Sequence, residues 1–244
     1  MRLIIVLLSL FFSVGVGNGT EINIVTEHFP PYQIVENNKI QGGFSVEVVK
    51  ELLDETGIEA PIIAYPWARA YRMSLNGENV LIFSMIRNEE REKHFKWVGS
   101  LIGTKDYYFW SLKNSKDIKI NSLEEAKRYS IGVPRDNYQH QFLKNNGFTN
   151  LSITDDFDTA LKMLYAQRIQ AVMGSEISIA YRMRKLNLDY SMLKKHYKIG
   201  QSWGDLSIAF SKNTPDELVT KFQLALMKIK NNGTYDRILK SWIP

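Results

Sequence analysis

The sequence alternates between short apolar segments and longer segments with apolar residues on one side, and this alternation limits the folds open to the chain. Residues 21–26, 61–64 and 80–85 have the length and composition of strands. The segment between the first two of these strands has apolar residues at helical spacing. Ser45 is placed to cap the start of this helix and Gly57 its end. A second helical segment separates the next two strands. Strands and helices in alternation are typical of a parallel sheet covered by helices.

The same pattern returns in the rest of the sequence. Residues 107–110, 129–133, 169–173 and 206–210 are strand-like, and helical segments lie between them. Two α/β units in series predict two lobes. No internal repeat accompanies them, so the lobes are not copies of one sequence.

Residues 1–19 have the pattern of an export signal. A positively charged end precedes an apolar run at residues 3–12, and small residues fill positions 13–19. The apolar run is short for a membrane span, although an uncleaved anchor is the alternative. No later segment is apolar enough to cross a membrane. We therefore expect a mature protein that is soluble, monomeric and located in the periplasm.

Composition excludes several kinds of chemistry. The 244 residues include no cysteine, which removes disulfides, thiol catalysis and thiolate metal sites. The net charge of +5 is spread without a basic run, so we expect no nucleic-acid partner. The four histidines lack metal-ligand spacing, and phosphate-loop and nucleophile-elbow motifs are absent. We expect neither a metal, nor a cofactor, nor catalytic residues.

Aromatic and arginine side chains gather at the ends of the predicted elements in the first lobe. Ligands of open α/β sheets bind beyond the carboxyl ends of the strands. Arginine can bind a carboxylate through two parallel hydrogen bonds, and aromatic rings add apolar and cation–π contacts. The alternative is that the tryptophans belong to the core and the arginines pair with nearby glutamates. The residues concerned are Tyr32, Trp67, Arg69, Ser84, Arg87, Arg91 and Trp97.

Several stretches, in order, resemble the family-3 extracellular solute-binding proteins of bacterial import systems. These are Phe-Pro-Pro-Tyr at residues 29–32, Gly-Gly-Phe-Ser-Val-Glu-Val-Val at residues 42–49, Pro-Trp-Ala-Arg at residues 66–69, Arg-Asn-Glu-Glu-Arg-Glu-Lys at residues 87–93 and the closing segment at residues 218–242. The likeness covers essentially the whole mature chain.

The resemblance implies the two-lobed periplasmic-binding-protein fold of type II, in which each lobe is a mainly parallel sheet flanked by helices. Residues 20–108 and 204–244 would form lobe I and residues 109–203 lobe II. The two-segment hinge would lie near residues 108–112 and 197–204. The lobes would close on a small-molecule ligand, and the membrane subunits of an ABC transporter would recognise the closed form.

The resemblance also implies roles for single residues. Arg91 matches the family arginine that binds an amino acid's carboxylate, and Ser84 lies on the strand that supplies hydrogen bonds. Residues 135–138, among them Asn137 and Tyr138, match a second-lobe loop whose backbone and hydroxyl groups meet the same carboxylate. This loop precedes a predicted helix, whose first amides also favour an anion.

One position departs from the family pattern. The family usually places an aspartate for the α-amino group after the strand at residues 169–173, where this chain has Ser175. Glu176 could replace that acid if it turned inward, and Arg87 adds a second arginine to the first lobe. We therefore expect a small, polar, carboxylate-bearing ligand, either an amino acid or a related organic acid.

Two other functions remain open. Some proteins that resemble this family are dehydratases acting on prephenate- or arogenate-like acids, and Arg87, Arg91 and Glu176 could serve such chemistry. The chain could also be a ligand-sensing receptor that acts through a partner.

Overall fold

The computed structural model describes residues 21–103, 106–115, 118–200 and 204–242, and their strands form two separate five-stranded sheets. A two-stranded hairpin lies apart from both sheets. The alternation in the sequence therefore gives two α/β lobes, one around each sheet. The predicted leader, residues 1–19, lies outside the described residues.

The elements follow one another along the chain in this order. The strands are β1 (Asn23–Thr26), β2 (Ile34–Glu36), β3 (Lys39–Gly42), β4 (Ile62–Ala64), β5 (Val80–Ile86), β6 (Phe95–Gly103), β7 (Tyr107–Leu112), β8 (Ile131–Pro134), β9 (Leu151–Thr154), β10 (Ala171–Ser175), β11 (Leu193–Lys198) and β12 (Asp205–Ser211). The helices are α1 (Phe44–Thr56), α2 (Trp67–Asn76), α3 (Glu89–Glu92), α4 (Leu123–Ala126), α5 (Tyr138–Asn145), α6 (Phe157–Tyr165), α7 (Glu176–Lys185), α8 (Asp216–Asn231) and α9 (Thr234–Trp242), with a 3-10 turn at Tyr190–Met192.

Each sheet is mainly parallel. The first has the order β4-β1-β5-β12-β6, in which β12 runs antiparallel to both neighbours. The second has the order β11-β7-β10-β8-β9, in which β7 is antiparallel to both neighbours. In each case the antiparallel strand is the first that the chain forms on arriving from the other lobe.

The chain passes between the lobes twice. The first passage lies between Gly103 and Tyr107, so residues 108–112, predicted as part of the hinge, belong to strand β7. The aromatic run at the start of β7 pairs with β10, and this pairing moves the passage towards β6. The second passage lies between Lys198 and Asp205 and includes residues 201–203, which are outside the described residues.

Strand β5 forms the centre of the first lobe, and all of its residues are buried. Leu81 and Phe83 pack with residues of α1 and α8, whereas Ile82 and Met85 pack with residues of α2. A strand covered on both faces reads as a continuous apolar run, as it does here. None of the helices within the described ranges is long and apolar enough to cross a membrane.

Helix α1 begins at Phe44, two residues earlier than it would if Ser45 were its N-terminal cap. Gly43 is the N-terminal cap residue, with φ of 120°, and Ser45 lies in the first turn. The predicted capping role of Ser45 is therefore wrong, and its hydroxyl instead accepts a hydrogen bond from Ser84 of β5. Gly57 ends the helix in the left-handed conformation, as predicted.

Candidate functional site

A cavity of about 40 Å³ lies where the two lobes meet. The first lobe lines it with residues that follow β1, end β5 or begin α2 and α3. The second lobe lines it with the end of β10, the start of α5 and the first turns of α7. The carboxyl ends of parallel strands therefore meet at this cavity from both sides, which is where α/β sheets bind ligands. Of the predicted site residues, those that line it are Trp67, Ser84, Arg91, Asn137, Tyr138 and Ser175.

Arg91 is a buried cation at this cavity, with 1% of its surface exposed. Its Nη1 donates to the carbonyl of Ile86 at 3.2 Å, and its Nη2 donates across the lobes to Gln141 Oε1 at 2.9 Å. Its Nε is buried and has no hydrogen-bond partner among the described residues. Burial lowers the pKa of Arg91, but a guanidinium stays protonated in proteins. The side chain therefore keeps a positive charge and free donor capacity at the cavity.

Three neighbours help to fix the position of Arg91. The Asn88 side chain caps the short helix α3 by accepting a hydrogen bond from the backbone N–H of Arg91 at 2.9 Å. The guanidinium lies 5.3 Å from the ring of Trp67 and 5.0 Å from that of Tyr71, within the range of cation–π contacts. A cation held in this way can meet a carboxylate with little loss of side-chain freedom.

Trp67 begins helix α2 and reaches the opposite lobe. Its indole stacks on Tyr71, with ring centroids 5.5 Å apart, and its Nε1 donates to the backbone carbonyl of Asp136 at 2.7 Å. The ring is 4% exposed. Trp67 is therefore both a wall of the cavity and a bridge between the lobes.

Ser84 lies in a bulge of β5. Met85 pairs with Ser207 and Ile82 with Ala209, so one extra residue of β5 fits opposite β12. Ser84 has φ of 57°, the left-handed region that residues with a side chain seldom adopt. Its hydroxyl donates to Ser45 at 2.8 Å. The bulge thus places a polar side chain at the cavity within an otherwise apolar strand.

The second lobe contributes two helix starts. Asn137 caps α5 by accepting the backbone N–H of His140 at 2.7 Å, and Tyr138 and Gln139 of the first turn line the cavity. The first amides of a helix have no partner within the helix and favour an anion. Ser175 precedes α7, is 4% exposed and makes no capping hydrogen bond with its hydroxyl.

The structure does not bring the charged residues Arg69, Arg87 and Glu176 to the cavity. Arg69 is exposed and lies over the ring of Tyr65, at 4.2 Å. The exposed Arg87 forms two hydrogen bonds with Glu92, at 2.8 and 2.7 Å. This pairing is the alternative noted from the sequence.

Glu176 also points away from the cavity, because two outer partners hold its carboxylate. Lys195 donates to it at 2.7 Å and Tyr190 at 3.1 Å. Glu176 therefore does not replace the acid that the family pattern leads one to expect at Ser175.

Two aromatic residues from the sequence analysis belong to the core. Tyr32 is 2% exposed and packs on Phe29, with ring centroids 5.0 Å apart. Burial raises the pKa of its phenol to about 12. Trp97 packs on Phe95 at 5.9 Å. Neither lines the cavity.

Sequence reasoning missed Glu27, which follows β1 and lines the cavity. Burial is the main cause that raises the pKa of its carboxyl to about 7, and Arg182 and Arg91 oppose the rise. Glu27 is half-buried, because it borders the cavity. The rule that selected Ser84, a polar residue at the carboxyl end of a strand, could also have found Glu27.

Arg182 was also missed, although it lies on the same side of α7 as Ser178, four residues earlier. It is 3% exposed and forms an ion pair with Asp158 of α6. Its Nε donates to Ser178 at 3.3 Å, and its Nη2 donates across the lobes to the carbonyl of His28 at 2.7 Å.

His28 is neutral in this network. Burial and the charge of Arg182 lower the pKa of His28 to about 4. Its Nδ1 accepts the backbone N–H of Val35 at 3.0 Å, which assigns the ring proton to Nε2, 3.7 Å from Asp158. The lobes are therefore joined here by Arg182, which donates to the backbone carbonyl of His28, and by the neutral His28 ring, which lies near Asp158.

Comparison with known proteins gives one family. The sequence profile of the bacterial extracellular solute-binding proteins, family 3, matches residues 22–244. A relative from Mannheimia haemolytica, named arginine-binding periplasmic protein, is 23% identical over 237 residues, which are 96% of this chain and 95% of the relative. A relative from Campylobacter jejuni, named probable histidine-binding protein, is 20% identical over 88% of this chain and 81% of its own length.

Solved structures share the fold. An ancestral arginine-binding protein bound to arginine has a TM-score of 0.79 at 22% identity and covers 91% of this chain and 98% of its own. A histidine kinase sensor domain with similarity to periplasmic binding proteins has a TM-score of 0.80 at 18% identity, over 92% and 96% of the two chains. These structures confirm the predicted two-lobed fold.

Proposed function

Because the chain belongs to family 3 of the bacterial extracellular solute-binding proteins, we propose that it captures a small carboxylate-bearing solute in the cavity between its lobes. The solute is an amino acid or a related organic acid, and the protein delivers it to the membrane subunits of an ABC-type importer. Relatives named for arginine and histidine support a ligand of this size.

The observation that carries this proposal is Arg91. It is a buried guanidinium at the cavity, with an unpartnered Nε and remaining N–H groups on its terminal nitrogens. Charged hydrogen bonds from arginine to a carboxylate are short and strong. The first turn of α5 lies on the same cavity and favours the same negative charge. A ligand carboxylate would complete the hydrogen bonding of both groups.

In this proposal the protein works as a monomer in the periplasm. Residues 1–19 are the export signal, residues 20–108 and 204–244 form lobe I, and residues 109–203 form lobe II. Strand β7 begins at Tyr107 and pairs with β10, which favours a first boundary before Tyr107 rather than after residue 108.

Ligand capture would be coupled to closure of the lobes. Among the described residues, the polar contacts that join them around the cavity include Trp67 to Asp136, Arg91 to Gln141, and Arg182 to His28. Another, between Lys185 and Glu36 at 2.8 Å, lies at the exposed rim. A ligand that touches both lobes binds the closed form better than the open form and so shifts the population towards closure.

A thermal-shift screen of amino acids, hydroxy acids and dicarboxylates against the full mature chain tests the proposal. A ligand that binds the folded state raises the melting temperature by mass action. We expect Arg91→Lys, which keeps the charge but removes the planar fork, to weaken binding of the best compound by about tenfold to a hundredfold in calorimetry.

Arg69→Lys is the matched control, because Arg69 belongs to the same lobe but lies outside the cavity. We expect it to leave affinity unchanged. Each variant is first melted without ligand, so that a folding defect is separated from a binding defect. Equal affinities for the Arg91→Lys protein and the unmodified protein would contradict the role of Arg91.

We also propose that the protein releases its solute chemically unchanged. The rival is a dehydratase on the same fold, and the observation that favours it is Glu27, since a carboxyl group with a pKa of about 7 suits proton transfer at neutral pH. Incubation of the purified protein with prephenate and arogenate, followed by detection of aromatic products, separates the two functions. Catalytic turnover that Glu27→Gln abolishes would favour the enzyme.

A further inference from the structure

The start of helix α7 lines the cavity with hydrogen-bond donors that lack an acceptor. Ser175, the N-terminal cap residue, is 4% exposed, and its hydroxyl has no hydrogen-bond partner among the described residues. The first backbone N–H groups of a helix have no partner within the helix, and the Ser175 side chain accepts none of them. Leaving polar groups enclosed and unpaired costs free energy. We therefore expect the ligand to supply an acceptor at this point.

Two further residues on the same face of α7 line the cavity. Ser178 and Arg182 follow Ser175 at intervals of three and four residues, which places the three side chains on one side of the helix. Ser178 accepts a hydrogen bond from Nε of Arg182 at 3.3 Å, so its own hydroxyl proton is available to donate. Arg182 donates from one terminal nitrogen to Asp158 and from the other to the carbonyl of His28, and each nitrogen keeps one more N–H. This face of α7 therefore offers hydroxyl, amide and guanidinium donors.

The charges that line the cavity also favour an anion. Arg91 and Arg182 are both enclosed, with 1% and 3% of their surface exposed. Asp158 offsets part of the charge of Arg182, although it does not line the cavity. Glu27 is the only acid among the described residues that do, and burial is the main cause that raises the pKa of its carboxyl to about 7. A protonated carboxyl donates a hydrogen bond to an anion instead of repelling it.

We propose that Ser175, Ser178 and the first turn of α7 bind a second carboxylate of the ligand, whose first carboxylate lies on Arg91. The ligand is then a dicarboxylate that spans the cavity from one lobe to the other. The cavity of about 40 Å³ suits a short carbon chain between the two carboxylates. This inference rests on the proposed function and adds to it the ligand group that faces the second lobe. Arg182 strengthens the subsite with its positive charge and its remaining N–H groups.

The proposal gives the departure at Ser175 a physical meaning. An aspartate at this position would itself accept from the first amides of α7 and would attract an amine. Serine leaves those amides to the ligand and brings no negative charge. The adjacent Glu176 does not replace the acid, because Lys195 and Tyr190 hold its carboxylate outside the cavity. The described residues of the second lobe thus line the cavity without a carboxylate, and a helix start of this kind favours an anion.

The first experiment compares dicarboxylates with their monoamides, which keep the length of the molecule but replace one carboxylate with an uncharged amide. Succinate with succinamate, aspartate with asparagine and glutamate with glutamine are tested by thermal shift on the full mature chain. We expect at least one dicarboxylate to raise the melting temperature and its monoamide to do so much less. An equal or larger shift from the monoamide of the best pair would overturn the inference and leave a carboxylate-binding function intact.

The second experiment places a negative charge at the proposed subsite. Ser175→Asp should weaken binding of the best dicarboxylate by about a hundredfold or more in calorimetry, because two carboxylates would then repel each other. Binding of the monoamide should weaken much less, since an amide can donate to the new carboxylate. Ser175→Ala removes only the hydroxyl and should weaken binding of the dicarboxylate by about tenfold.

Ser152→Asp is the matched control, because Ser152 belongs to β9 of the same lobe and lies outside the cavity. It should keep both affinities, and each variant is first melted without ligand to detect a folding defect. Equal losses for the dicarboxylate and its monoamide in Ser175→Asp, or unchanged dicarboxylate binding in both Ser175 variants, would overturn the inference. If only monocarboxylates bind, this inference fails and the proposed function stands. If no carboxylate compound shifts the melting temperature of folded protein, both fail.

Discussion

Ser84 keeps a left-handed backbone in the middle of a buried strand, and its strain can be measured. Glycine adopts φ of 57° without a side-chain clash, whereas an alanine there costs about 1 kcal/mol. Ser84→Gly and Ser84→Ala both lose the hydrogen bond to Ser45. In urea unfolding we therefore expect the glycine variant to be about 1 kcal/mol more stable than the alanine variant. Equal stabilities would argue against the left-handed conformation in solution.

Single residues were predicted best where position alone decides their role. Ser84 and Arg91 reached the cavity because strand ends and the turn after β5 lie at one edge of the sheet. Arg87, only four residues before Arg91, did not, because Glu92 neutralises it on the outer surface. The sequence contains both arginines and several nearby glutamates, but it does not state which of them pair. That depends on side-chain directions fixed by packing.

Helix α1 is bounded by two glycines that serve different purposes, and substitution should separate them. A methyl group at Gly43 would lie 2.4 Å from the carbonyl oxygen of Tyr32, and φ there is 120°. A methyl group at Gly57 would meet nothing within 4 Å, although φ is 64°. We expect Gly57→Ala to lower the free energy of unfolding by about 1 kcal/mol.

Gly43→Ala should lower the free energy of unfolding by several times as much, since it adds a backbone clash to an almost glycine-only conformation, about 3 kcal/mol or more. Urea unfolding followed by circular dichroism measures both variants. Similar losses in the two would mean that the contact between Gly43 and Tyr32 relaxes easily.

Elements that are buried on both faces were predictable, and edge elements were not. Strand β5 reads as an apolar run, interrupted by Ser84, because helices cover both its sides. Strand β11 carries Lys194 and Lys195 at exposed positions and pairs only with β7, at the edge of the second sheet. Lysines suit an edge because they discourage pairing with another chain. Such a strand is defined by its neighbour rather than by its own apolar pattern.

The two-lobed plan followed from the order of strands and helices, but the join between the lobes did not. Strands β6 and β7 follow each other with three residues between them, yet they belong to different sheets. Both are rich in apolar and aromatic residues, so local pattern gives no sign of the change. The pairing of β7 with β10 and β11, more than 60 residues later, assigns it to the second lobe. Contacts of this range lie beyond what local periodicity can predict.

Ionisation of Glu27, which lies where the two lobes meet, should make the whole protein less stable as the pH rises. Burial raises the pKa of Glu27 to about 7 in the folded protein from its ordinary value of 4.5, so the folded state holds this proton more tightly than the unfolded chain. Stability from this group is complete below about pH 4.5 and is lost as the pH rises through 7. Glu27→Gln removes the charge. We therefore expect the variant to match the unmodified protein at pH 4.5 and to exceed its unfolding free energy by about 1–3 kcal/mol at pH 8.

Comparing the unfolding free energies of Glu27→Gln and the unmodified protein at each pH isolates the contribution of Glu27, because His28 titrates in both proteins. The pKa of His28 is lowered to about 4, so protonation of that ring destabilises the fold as the pH falls below about 6.5. Urea unfolding at half-unit steps from pH 4.5 to 8 gives the difference curve. Glu176→Gln should show no gain, since Lys195 lowers the pKa of that carboxyl and favours its charged form. A flat difference curve for Glu27→Gln would mean that water reaches the carboxylate freely. A rising curve would mean that a group retained for binding lowers the stability of the empty protein.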